Sequence, residues 1–164
     1  VSNHMDTPRT TTSRLGQLGG VYAALHAAHT VADHIIQTGD DAQAKAGHGW
    51  PARAACARHV TELTAAQVLA LAAVSAATGE RLNPRRVVAG LAFNAATHYL
   101  LDRRPIARRL NHALGLADFY DKFKVHRDTW VDPHGPGSGP YALDQAWHTG
   151  FLAVTAAIIA GGGR

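Results

Sequence analysis

Three segments of the chain pair a histidine with an aspartate four positions apart: His29 with Asp33, His98 with Asp102, and Asp144 with His148. Residues four apart in an α-helix lie about 40° apart around the axis, so each pair projects from one helix face. Imidazole nitrogen and carboxylate oxygen are ordinary ligands of zinc, manganese and iron, and helical bundles build metal centres from side chains on facing helices. Carboxylates gathered in a protein interior repel one another unless a positive charge lies between them. The spacing therefore points to His29, Asp33, His98, Asp102, Asp144 and His148 as ligands of one or two divalent ions. A purely structural network of His–Asp hydrogen bonds is the competing reading of the same residues.

Other side chains fall in with these pairs. His26, His29, Asp33 and Gln37 follow one another at spacings of three, four and four and form one stripe, beside an apolar stripe of Leu25, Ala28, Ala32 and Ile36. His59 lies at helical spacing from Ala55, Cys56 and Leu63, which points it inward as a further ligand or as a group that relays protons. Lys45 and some of the arginines suit an anionic group, while Gln37, Gln145 and His26 are candidates to orient ligands or substrate. Cys56 is the one cysteine, so no thiolate ligand set is available and a small core residue is expected. His34 points away from the His29/Asp33 stripe, and His48, His112, His126 and His134 belong to no comparable pair.

The elements that must position these groups are helices. Gly19-Gly20 precedes an apolar stretch that predicts a first helix over 21–38. Asp40 and Asp41 are expected to cap a short turn through Lys45. Pro51 suits the start of a second helix running to about residue 77, and Asn83-Pro84 the start of a third, over 84–101. A shorter helix starts at Pro105 and ends at Gly115, with a few helical residues over 117–124. The loop RDTWVDPHGPGSGP holds three prolines and three glycines, which exclude a helix interior or a central strand. A last helix then covers 141–160. The expectation is an all-α, single-domain bundle of about five helices over 17–164, with a long Pro/Gly loop before the last helix. Residues 1–16, opening VSNHM like a cloning scar, are expected to form a polar tail.

Composition narrows the functional classes. At 164 residues the chain suits one domain able to bury a core without disulfides. The single cysteine and the lack of an apolar leader suggest a reducing, cytoplasmic setting. The longest apolar runs, near 65–77 and 151–160, are shorter than the roughly 18–20 residues of a spanning helix, so no transmembrane segment is expected. Lysine and arginine total 16 against 12 acids, and Arg81, Arg85, Arg86, Arg103, Arg104, Arg108 and Arg109 cluster where they either face an anion or solubilise exposed faces. A phosphate-binding glycine loop, a nucleophile elbow, paired CxxC knuckles and HExxH are all missing, which argues against P-loop phosphoryl transfer and serine hydrolysis.

The order His29-x-x-x-Asp33 with Gln37, Lys45, His59, His98-x-x-x-Asp102 and Asp144-Gln145-x-x-His148 resembles the bacterial family called domain of unknown function 3307. The resemblance covers about residues 22–160. It implies that these residues form one site, names no reaction, and brings an expectation of membrane association, since many members look membrane-bound. The leading expectation is a metal-dependent hydrolase that uses metal-activated water on a small anionic substrate, a phosphoester or nucleotide. The alternative is a non-enzymatic helical module binding nucleic acid or a protein partner.

Overall fold

A computed structural model describes residues 14–126 and 130–161, and the tail expected before residue 14 lies outside them. The described residues form α1 (Arg14–Val31), a π-helical turn (Ala32–Ile36), α2 (Gly39–Ala44), α3 (Gly49–Thr78), α4 (Pro84–Asp102), α5 (Arg104–Ala113), α6 (Ala117–Lys122) and α7 (Gly139–Ala160). The all-α expectation holds. Two additions stand out: α1 already begins at Arg14, inside the expected tail, and the Pro/Gly loop carries a two-residue antiparallel ladder. In that ladder β1 (Val125–His126) pairs with β2 (Val131–Asp132).

Local chemistry explains the helix starts. The Asn83 side chain accepts from the backbone N–H groups of Arg85 and Arg86, with Pro84 in the first turn of α4. Ser138 caps α7 in the same way by accepting from the Tyr141 N–H. The cap of α2 is Thr38, which accepts from the Asp41 N–H. Asp41, expected as a cap, instead lies in the first turn of α2 and pairs with Arg58. Gly79, at φ 71°, closes α3 in the left-handed conformation that favours glycine.

The four long helices form the bundle: α1 packs on α3 and α7, and α4 packs on α7 and α3. Their apolar faces meet in a core of Val21, Leu25, Leu71, Leu91, Leu152 and Ile159, with Ala24 and Ala156 filling between. Near this core, α4 approaches α7 closely through Gly90, where a Cβ would stand 2.6 Å from Ile159 Cγ1 and 3.3 Å from the Thr155 carbonyl oxygen. The opposite end of the bundle, where α1 and α4 finish and α3 and α7 begin, is polar inside. Between the two ends lies one buried amide pair, Asn94 Nδ2 donating to Gln67 Oε1 at 3.0 Å. At the polar end α5 is tied to α7 by Trp147 Nε1, which donates to Asn111 Oδ1 at 3.0 Å.

The π-helical turn corrects one sequence reading. Gln37 N–H donates to the Ala32 carbonyl at 2.9 Å, five residues back rather than four. The wider turn rotates the following residues, so Leu25, Ala28 and Ala32 are buried as expected but Ile36 is 41% exposed. A second correction concerns α3. By length and composition this 30-residue helix is apolar enough to cross a bilayer, although no segment was expected to be, and 22% of its apolar window is buried in the bundle. The apolar stretch is longer than the short run over 65–77.

Close packing at Gly90 gives a direct test. Gly90→Val should destabilise the fold by about 1–3 kcal/mol, as overpacking does, measured by urea unfolding; an unchanged midpoint would mean that α4 and α7 separate freely there.

Candidate metal centre

The six residues of the three pairs converge on the polar end of the bundle, together with His59 and Lys45. His29 closes α1 and Asp33 lies in the π-helical turn, so the two meet across a widened turn at 3.6 Å, Nδ1 to Oδ1. His59 enters from the first half of α3, with Nε2 3.2 Å from Asp33 Oδ1 and 3.6 Å from Asp102 Oδ2. His98 and Asp102 occupy the last turns of α4, 3.3 Å apart. His148 and Asp144 come from the first half of α7, 3.4 Å apart, and His148 Nε2 also lies 3.7 Å from Asp102 Oδ1. Imidazole contacts complete the cluster: His59 and His98 approach to 3.0 Å between Nε2 atoms, and the His98 and His148 rings stack at 4.0 Å. The four histidines and Asp102 are buried; Asp33 and Asp144 are half-buried.

Lys45, the residue closing α2, reaches across to Asp102 with Nζ 3.0 Å from Oδ1. Its loop is held against the end of α4 by Arg103, which donates to the Gly47 carbonyl. Gln145 donates to Asp144 Oδ2 at 3.4 Å, and Gln37 has a buried amide nitrogen with no hydrogen-bond partner.

His26 is not part of this site. It is exposed and stacks on Tyr22, because the position three residues before His29 falls outside the stripe that continues into Asp33. Cys56 is fully buried, its thiol pushed up to about 12 by burial and by the neighbouring Asp102 charge, as suits a packing residue. The arginine cluster divides. Arg81, Arg85 and Arg86 lie at or before the start of α4, and Arg103, Arg104, Arg108 and Arg109 at or beyond its end, with about 27 Å of helix between Arg85 and Arg103. Only the second set borders the site.

The donor atoms are spaced so that they could hold an ion. Most of the His–Asp separations exceed the 2.7–3.2 Å of a good N–H···O bond, whereas two ligand atoms about 2.0 Å from a tetrahedral ion lie about 3.3 Å apart. His29 Nδ1 and Nε2, Asp33 Oδ1, Asp102 Oδ2 and His148 Nε2 are buried with no hydrogen-bond partner. Polar atoms in that condition cost free energy unless something satisfies them. Three groups of donor atoms are close enough to share an ion: His29, Asp33 and His98; His59, His98 and Asp102; Asp102, Asp144 and His148.

A cavity of about 280 Å³ opens onto the cluster. Asp33, Lys45, Asp102, Asp144 and the two glutamines reach it, while His29, His59, His98 and His148 lie behind them. Sequence reasoning passed over several of its walls. His34 and His134 line it, His34 with Nε2 3.5 Å from Tyr141 Oη, as does the buried Tyr120, whereas Arg104, also in the wall, belongs to the arginine cluster expected to face an anion or solvent. The π-helical turn, which periodicity does not disclose, brings His34 into this wall. No family model, curated protein or solved structure matches the chain. The motif resemblance thus rests on the residues themselves.

Burial and mutual charge set the protonation of the cluster. Burial, with the charges of His148 and His98, outweighs the nearby Asp33 and lowers His29 to about 4. Burial likewise lowers His98, with His148 adding to it. For His148 burial acts in the same direction, but Asp102 and Asp144 override it and raise the group to about 10. Burial would raise Asp33 and Asp102; the imidazoles around both, and Lys45 beside Asp102, hold them well below the usual carboxylate range.

These shifts predict a stability maximum in chelator-treated protein. Between about pH 4 and 6.5 the unfolded chain protonates His29 and the folded one does not, so stability falls as the pH falls. Between 6.5 and about 10 the folded protein keeps a proton on His148 that the unfolded chain has lost, so stability falls as the pH rises. The acid limb should be worth on the order of 3 kcal/mol and the alkaline limb on the order of 5 kcal/mol. Chemical denaturation across this range checks it, and a profile flat from pH 5 to 9 would contradict the charge assignment.

Proposed function

We propose that the protein is a metal-dependent hydrolase acting on a small anionic phosphoester. The observation that carries this reading is the set of unpartnered buried nitrogen and oxygen atoms, spaced as metal ligands are, at the floor of a cavity. The first and third donor groups share no residue, so two ions can be held at once, and the middle group draws on both. Zinc, manganese and iron suit the mixed imidazole and carboxylate donors.

Held by these histidines and aspartates, divalent ions would supply Lewis acidity and acidify bound water. The chain's own residues do the rest. His29, His98 and His148 anchor the ligand set behind the carboxylates, and His59, fully buried away from the cavity, serves as a ligand and not as the acid or base that meets substrate. Lys45 neutralises part of the Asp102 charge and presents an ammonium to the cavity wall, where an anionic ester enters. Gln37 and Gln145 offer amide groups for orienting the substrate. His34 and His134 are the cavity imidazoles outside the cluster, placed to take a proton from attacking water or return one to the leaving oxygen. In the overall step water oxygen bonds to phosphorus, the ester P–O bond breaks, and the departing oxygen takes up a proton.

Protein purified without chelator, or reconstituted, should carry one to two equivalents of transition metal and hydrolyse p-nitrophenyl phosphate or its bis-ester. Asp102→Asn, which touches two donor groups, should lower metal affinity by more than the roughly 10–100-fold that loss of an outer partner costs, and by more than Asp144→Asn, which touches one. Protein that takes up no metal would leave the cluster as a structural network and sink the proposal.

A further inference from the structure

Beside the cavity at the metal centre lies a second and larger one of about 960 Å³, and Ala46, Arg104, Tyr120, His134 and Pro140 line both. The two differ in charge. The inner cavity is walled by Asp33, Asp102 and Asp144 with Lys45 and Arg104, whereas the outer one is walled by Arg104, Arg108, Arg109 and Lys124, with Asp121 as its single carboxylate.

That carboxylate is already engaged. Arg108 donates to both of its oxygens at 3.0 and 2.9 Å, and His112 Nε2 lies 2.8 Å away. Among the described residues no carboxylate stands within ion-pair distance of Arg104, Arg109 or Lys124. The fields of Arg104 and Lys124 converge on the shared wall: His134 is lowered first by burial and then by Arg104, with Lys124 adding to it and Asp132 opposing. Cations focused into a concave site without counter-charge form an anion-binding surface, and guanidinium groups suit phosphate through paired hydrogen bonds. Size separates the two cavities further. A cavity of about 280 Å³ is just below the range that holds a whole organic ligand, and one of about 960 Å³ is near its upper end.

We propose that the outer cavity binds a second phosphate of the substrate, which is therefore a nucleotide-sized organic bisphosphate, cleaved at the phosphate in the inner cavity while the other is held by Arg104, Arg109 and Lys124. This rests on the hydrolase reading for the cleavage, though not for the binding. Water supplies the new oxygen on the departing phosphate and the ester oxygen leaves with a proton, so the second phosphate is unchanged and acts only as a handle.

Calorimetric titration of the full chain, metal-loaded and chelator-treated, with adenosine 3′,5′-bisphosphate and adenosine 5′-monophosphate tests the inference. The bisphosphate should bind at least about tenfold more tightly. The double variant Arg109→Gln, Lys124→Gln, both exposed and lining the outer cavity alone, should lose that preference while keeping its metal content. A bisphosphate preference that disappears in the variant, in protein that binds no metal and cleaves neither compound, would uphold the outer site and overturn the hydrolase. Equal affinity for the two nucleotides, or a preference that survives the double substitution, would overturn the outer site even if metal-dependent hydrolysis is present. A single-stranded oligonucleotide binding far more tightly than the bisphosphate, with the same loss in the variant, would reassign the cleft to a polymer and overturn the small-molecule assignment.

Discussion

The structure depends on compensating three carboxylates that the bundle has drawn together. Asp33 and Asp102 lie where water is scarce and Asp144 at the cavity wall, and each has at least one imidazole within 4 Å; Asp102 meets His59, His98, His148 and Lys45. Taking a charge out of water costs several kcal/mol even after relaxation. No single residue in the cluster is therefore autonomous, since removing one partner strands the others. Five segments, from the π-helical turn to α7, are held in register by that requirement.

Separating apolar from polar interior makes this tolerable. One end of the bundle holds the leucine, valine and isoleucine core and the close α4–α7 contact at Gly90. It secures the four helices by packing, which is indifferent to charge. The other end is then free to carry charged and titratable groups. Gln67 and Asn94 mark the boundary, a neutral amide pair where the interior changes character.

The four-residue repeat made the cluster legible, because a helical spacing of histidine and aspartate states which side chains share a face. Helix boundaries at Asn83-Pro84 and Gly79 were equally plain, since capping chemistry is local. What could not be read depends on tertiary register. Ile36 looked like a core residue because its spacing from Ala32 assumed a regular turn, and His34 looked misdirected for the same reason. The arginines appeared as one cluster in sequence because the length of α4, which divides them, has no bearing on their count. Gln67 and Asn94 stand on different helices with no repeated spacing to mark them. Tyr120 and Arg104 belong to short elements whose placement over the cavity is set by the Trp147–Asn111 bond and by the loop before α7.

The π-helical turn at Ala32–Ile36 also bears on how this chain can change over evolutionary time. Such a turn is geometrically one residue added to an α-helix, accommodated by hydrogen bonds that reach five residues back, as from Gln37 N–H to the Ala32 carbonyl. Deleting one residue there would let the helix close regularly and cost little backbone energy. It would also rotate everything beyond it by about a quarter turn, carrying Gln37 and His34 away from the cavity and misplacing Lys45. Surface loops elsewhere can lengthen or shorten; this turn is held to its length by the site it serves, so insertions and deletions should be purged from it even where substitutions are accepted.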